Sequence, residues 1–169
     1  MNLPNKLTLL RIFLVIPFIG FLYFGANIAA CSVFIIACIT DYLDGYIARK
    51  QNLITDFGKL MDPLADKILN ISALVMFIEL NYIYSWAVII IVAREFLVTG
   101  LRVIAASKNE IIAAGNSGKI KTVVQMLAII AIMFTKDSFI SHIIILVPVI
   151  FTIWSGYEYI IQGKKYLKG

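Results

Sequence analysis

Four aspartates stand in two pairs whose spacing could do chemistry. Asp41 and Asp44 are separated i, i+3, and Asp62 and Asp66 i, i+4. On helices each pair shares one face. Gly45 and Ala48 continue the first face, and Gly58 begins the second. A break at 50 to 57 folds the two helices back antiparallel, so that four of the chain's ten acidic residues converge. Carboxylates in or near hydrocarbon cannot stand alone: insertion costs about 2.5 to 3.5 kcal/mol for each at mid-membrane, and mutual repulsion adds to this. Something positive must sit among them. All-oxygen donors suit hard divalent cations, Mg2+ or Mn2+ before Zn2+, and four carboxylates can hold two ions side by side.

Two other readings compete with a metal centre. Arg49, Lys59 and Lys67 could pair with the aspartates as interfacial salt bridges. Such pairs rarely need two carboxylates per face with small residues interleaved. Intramembrane acids also mark ion pathways, which makes a divalent-cation transporter the alternative from another functional class. Against it, the acids gather at one end, and the remaining apolar stretches carry few midplane polar groups.

The elements that must position these residues belong to a membrane. Of 169 residues 61% are hydrophobic and 15% charged, where soluble domains average roughly 25% charged. With a mean hydropathy of +0.92, the chain has more apolar side chain than a soluble interior of this size could hide. Apolar stretches run at about 7 to 25, 28 to 48, 60 to 80, 84 to 107, 120 to 135 and 139 to 161. At about 20 residues per span, six transmembrane helices leave only short loops, so the expectation is an all-α polytopic protein with one membrane domain over 1–169. Lysine and arginine set its orientation. With the N-terminus inside, Lys6, Arg11, Arg49, Lys50, Lys59, Arg102, Lys108, Lys119, Lys121, Lys164, Lys165 and Lys168 fall on or near the cytoplasmic side and Lys136 opposite. The net charge of +5 then points to anionic lipid or phosphate, not nucleic acid.

Other signals carry less. Cys31 and Cys38 would lie about 10 Å apart on one helix, too far for a disulfide. One histidine, His142, argues against a zinc site of the usual kind. Asn70-Ile71-Ser72 fits a glycosylation sequon but lies inside an apolar span, and Gly115-Asn116-Ser117-Gly118-Lys119 lacks the strand and hydroxyl residue of a phosphate loop. Tyr82, Tyr84, Trp86, Trp154, Tyr157 and Tyr159 read as interfacial belt residues.

Asp41-x-x-Asp44-Gly45-x-x-Ala48-Arg49, then eight residues, then Gly58-x-x-x-Asp62-x-x-x-Asp66 resembles, at every fixed position, the signature of the CDP-alcohol phosphotransferases. The resemblance implies six transmembrane helices with the motif across the second and third, and a homodimer. It implies Asp41, Asp44 and Asp62 as principal metal ligands, and Asp66 as the base that takes the acceptor hydroxyl proton beside the second metal. Gly45, Ala48 and Gly58 would let the cytidine diphosphate group approach the helices, with Arg49 near its phosphates. Asn5 and Thr8 are candidate contacts to the same head group, helix capping being the other reading of Asn5.

Asn2 to Arg11, Ala93-Arg94-Glu95-Phe96 through Arg102, and Gly118 to Thr122 with Gln125 are similar to the bacterial members that transfer a phosphatidyl group from CDP-diacylglycerol to sn-glycerol 3-phosphate, releasing CMP in the cell membrane. Arg94 and Arg102, eight apart, share roughly one face of the fourth helix; Lys119 and Lys121 open the fifth on the same membrane side. Together they could clamp the acceptor's phosphate, although Glu95 could neutralise Arg94 and the two lysines could be positive-inside residues. Phosphatidylglycerol, inositol phosphate or serine are the alternative acceptors.

Overall fold

A computed structural model describes residues 3–50, 56–107, 115–135 and 137–167. Within helices, the side chains of Asp44, Gly45, Ala48 and Arg49 lie outside the described residues, as do Lys136 and most of the break at 50 to 57. Among the described residues there are six helices and no strand: α1 (Leu3–Tyr23), α2 (Asn27–Lys50), α3 (Asp56–Glu79), α4 (Ser85–Ser107), α5 (Asn116–Phe134) and α6 (Ser138–Leu167). The expected all-α polytopic architecture is the one observed. Asn5–Tyr23, Asn116–Phe134 and Ser138–Gly163 are long and apolar enough to cross a membrane, and Asn27–Asp41 is a shorter apolar helix. Several helices run past the apolar stretches, α3 beginning at Asp56 and α5 at Asn116. Hydropathy reports where the hydrocarbon lies, whereas helical hydrogen bonding continues into the polar interface.

The chain groups into two compact units, Met1–Leu80 and Asn81–Gly169. In the first, α1 packs along both α2 and α3, which touch each other over a shorter stretch. Its turn from α1 into α2 takes three residues. Gly25, at φ 72°, ends the helix, and the amides of Gly25 and Ala26 bond back to the carbonyls of Leu22 and Phe21 at 3.1 and 2.8 Å. This pairing is a Schellman motif, whose left-handed residue is free of strain only without a Cβ. Phe18 and Phe34 meet across the hairpin with ring centroids 5.7 Å apart, and Phe77 and Leu74 of α3 complete a fully buried core.

In the second unit α6 packs against both α4 and α5. Asp137 caps α6 by accepting the amide of Phe139 at 2.8 Å. Close approach of α4 depends on Gly156 and Gly163, two turns apart on α6. A Cβ at the first would stand 3.2 Å from Arg94 Cγ and at the second 3.1 Å from Leu101 Cδ1. Small residues at such a seam let backbones of membrane helices come together. Outside both cores the surface is apolar: Phe13, Ile16, Ile89, Val103 and Ile150 are 64–70% exposed, which suits hydrocarbon and not water.

Candidate active site

The acidic residues of the first unit are organised by α1. Arg11, fully buried, pairs its Nη1 with Oδ1 of Asp41 on α2 at 2.6 Å. One turn earlier, Thr8 Oγ1 donates to Asp62 Oδ1 on α3 at 2.5 Å. Asp66 is held from its own helix, its carboxylate accepting Asn70 Nδ2 at 3.0 Å. The Asp41 and Asp62 carboxylates lie within electrostatic reach of one another, and Cys38 lies within reach of Asp41, Asp66 and Arg11. Asp41, Asp62 and Asp66 therefore share a neighbourhood at one end of this unit. Its remaining walls are polar too. Asn5 and Thr8 are buried beside it, Asn5 inside α1 and not at a cap, and Gly58 is buried near the start of α3.

The donors fit a hard divalent cation in type, because carboxylate and hydroxyl oxygens converge here. Among the described residues no three acidic, histidine or cysteine groups already form a metal-sized set. Asp41 instead carries Arg11, and Asp62 carries Thr8. The fourth acid, Asp44, lies outside the described side chains, as do Gly45, Ala48 and Arg49. Of the cations in the competing salt-bridge reading, the side chains of Arg49 and Lys59 lie outside the described residues; among the described residues Asp41 pairs with Arg11 of α1.

A second cluster occupies the other unit. Arg94 Nη1 and Lys121 Nζ both reach Glu95 Oε1, at 3.1 and 2.6 Å. Glu95 thus neutralises part of the charge, as the sequence allowed, yet among the described residues Nε and Nη2 of Arg94 are buried without a hydrogen-bond partner. Arg102 Nη2 donates to Tyr159 Oη at 2.6 Å, and the guanidinium carbons of Arg94 and Arg102 lie 5.2 and 5.3 Å from the Tyr159 ring centroid, within cation–π range. Along α5, Ser117, Lys121 and Gln125 repeat at four-residue spacing and are all buried. They place a polar stripe inside the unit. Arg94, Arg102 and Lys121 are thus gathered around Glu95 and Tyr159, whereas Lys119, two positions from Lys121 and so on another face, is exposed.

Four residues of these clusters escaped the sequence reading. In the sequence Arg11 reads as a cytoplasmic charge and as the end of the Asn2 to Arg11 stretch, with no partner assigned, Asn70 as part of an unreachable sequon, and Ser117 as part of an incomplete phosphate loop. Tyr159 was assigned to the interfacial belt, but it is 1% exposed, while Trp154 and Tyr157 are 50% and 66% exposed. The fourfold spacing of Asn70 from Asp66 and of Ser117 from Lys121 was the available signal for two of them.

The family model described as CDP-alcohol phosphatidyltransferase matches residues 1–154. A Bacillus subtilis (strain 168) protein named CDP-diacylglycerol--glycerol-3-phosphate 3-phosphatidyltransferase is 43% identical, the match covering 99% of this chain and 97% of that one. Proteins of the same name from Rickettsia felis and Sodalis glossinidius are 40% and 32% identical, over 98% and 97% of this chain and 97% and 96% of theirs.

Proposed function

Since the chain belongs to the CDP-alcohol phosphatidyltransferase family, we propose that it transfers the phosphatidyl group of CDP-diacylglycerol to sn-glycerol 3-phosphate, giving phosphatidylglycerophosphate and CMP. The relatives that carry this activity in their names match nearly the whole chain. The observation that favours a phosphorylated acceptor is the cluster of Arg94, Arg102 and Lys121, three cations with the carboxylates of Glu95 and, beside Gly115, Glu158. Guanidinium groups are well suited to phosphate oxygens, which they meet through paired N–H donors; Arg94 is half-buried and Arg102 exposed. Serine, whose carboxylate comes with an ammonium group, and phosphatidylglycerol, whose phosphate is a singly charged diester, offer this positive charge less than a phosphate monoester does.

In the reaction, the acceptor's hydroxyl oxygen bonds to the phosphorus bearing the diacylglycerol, and the bond from that phosphorus to the CMP oxygen breaks. Asp66 takes the hydroxyl proton, with Asn70 holding its carboxylate. Asp41, Asp44, Asp62 and Asp66 would hold two divalent ions, Mg2+ or Mn2+, which supply neutralising charge for the diphosphate. Asn5, Thr8, Gly45, Ala48, Arg49 and Gly58 bind the cytidine diphosphate portion. Direct displacement needs no covalent enzyme intermediate. The protein is an integral membrane enzyme; the acidic end and both termini face the cytoplasm, and it acts as a homodimer.

Purified protein given CDP-diacylglycerol and each alcohol in turn tests the assignment by CMP release. Release with glycerol 3-phosphate is expected. Release with serine, inositol phosphate or phosphatidylglycerol but not with glycerol 3-phosphate would overturn it, and metal flux into sealed vesicles without any CDP-lipid would favour a transporter.

A further inference from the structure

Asp41 and Asp62 stand on different helices, and little holds those helices to one another. α2 and α3 touch over a short stretch only, whereas each packs along α1. The separation of the two carboxylates is therefore set through α1 and not by packing of α2 on α3. Two side chains of α1 carry that link. Arg11 meets Oδ1 of Asp41 at 2.6 Å, and Thr8, three residues earlier on the same face, donates to Oδ1 of Asp62 at 2.5 Å.

Thr8 and Arg11 are fully buried, while Asp41 and Asp62 are half-buried. Each acid thus has one oxygen committed to a side chain sealed inside the unit. Among the described residues the other oxygen, Oδ2, takes no hydrogen bond in either acid. A carboxylate with one oxygen held by an outer donor and the other open is arranged as an oriented metal ligand. Stability alone gives little reason for a buried Arg11, because exchanging a buried ion pair for well-packed apolar side chains is often neutral or stabilising.

We propose that Thr8 and Arg11 are positioning residues that hold Asp62 and Asp41 apart at a fixed separation, so that one face of α1 gives the divalent-cation site its dimensions. This rests on the reading of these acids as a metal site. It differs from a contact between Thr8 and the nucleotide head group, because the effect passes through the carboxylates and is present before any nucleotide binds. A carboxylate relieved of a hydrogen-bond donor becomes the stronger base. Weaker binding of an ion after removal of the donor therefore reads lost position and not lost charge.

The test titrates the purified full-length protein with Mn2+ in the absence of CDP-lipid and acceptor, following the free ion by electron paramagnetic resonance. Thr8→Val keeps the shape of the side chain and removes its hydroxyl. The Kd for Mn2+ should rise about 10- to 100-fold, the range for a lost outer partner of a metal ligand, and Thr8→Ser should restore it. Arg11→Lys keeps the charge on Asp41 and loses the planar fork; it must weaken Mn2+ binding too, and it decides should Thr8→Val fail to fold. An unchanged or lowered Kd in Thr8→Val would overturn the proposal, and with a raised KM for CDP-diacylglycerol it would make Thr8 a head-group contact only. Asp62→Asn separates the two levels. If it weakens Mn2+ binding and Thr8→Val does not, the positioning role fails alone; if neither variant does, the metal reading of the acids fails with it.

Discussion

Asp66 differs from the other described acids in the company it keeps. Asp41 faces a buried guanidinium and Asp62 a hydroxyl from α1, whereas Asp66 is held by Asn70 one turn along its own helix. A proton acceptor needs a carboxylate held in a fixed orientation, and the Asn70 amide contributes to that. Asp66→Asn should therefore lower kcat by at least about 100-fold, the scale of a lost general base, while the KM for CDP-diacylglycerol stays near that of the unchanged enzyme. Turnover above a tenth of normal would remove Asp66 from this role. Metal removal probes the neighbouring acids. Chelation should abolish CMP release and Mg2+ or Mn2+ should restore it, since Asp41 and Asp62 close to one another need added positive charge once a diphosphate arrives. Activity that survives exhaustive chelation would exclude the metal assignment. The aspartates were legible in the sequence because helical spacing alone puts each pair on one face. Arg11 was not, because a pairing between α1 and α2 depends on tertiary packing that no local spacing encodes.

At the scale of elements, the cation cluster depends on how closely α4 approaches α6. Gly156 touches Arg94 at the Cγ of its stem, and Gly163 repeats the contact at Leu101 two turns on. Arg94 is thus placed by a seam of missing side chains as much as by its salt bridge to Glu95. Gly156→Leu should force the stem of Arg94 aside and cost about 1–3 kcal/mol of overpacking, seen as a lower thermal midpoint together with a raised KM for the phosphorylated acceptor. Gly20→Leu is the control, because a Cβ at Gly20 meets nothing within 4 Å; an equal loss in both variants would mean that the seam has no special role. The apolar stretches located all six helices to within a few residues, since period and length are local properties. Which glycines line a seam was not legible, for Gly20 and Gly156 both sit in apolar runs and differ only in what packs against them.

For the whole molecule, orientation is the property that ties the chemistry to a compartment. The lysine and arginine asymmetry predicts that the α4–α5 connection lies inside and that the turns at the opposite end of the second unit lie outside. Within that unit, Ser138 Oγ donates to the Asn81 carbonyl at 2.8 Å, so the entry to α6 and the chain just before α4 share one end. Gly115, bonded to Tyr159 beside Arg102, marks the other. Single cysteines can read the two ends once Cys31 and Cys38, both free thiols, are replaced by alanine. Ser85→Cys lies at the exposed start of α4 and Asn116→Cys at the exposed start of α5. In intact cells a membrane-impermeant maleimide should label the cysteine at 85 and spare that at 116, and permeabilisation should make both reactive. Labelling of position 116 in intact cells, with position 85 protected until permeabilisation, would reverse the topology and place the cation cluster on the outer side, away from a cytoplasmic pool of phosphorylated acceptor.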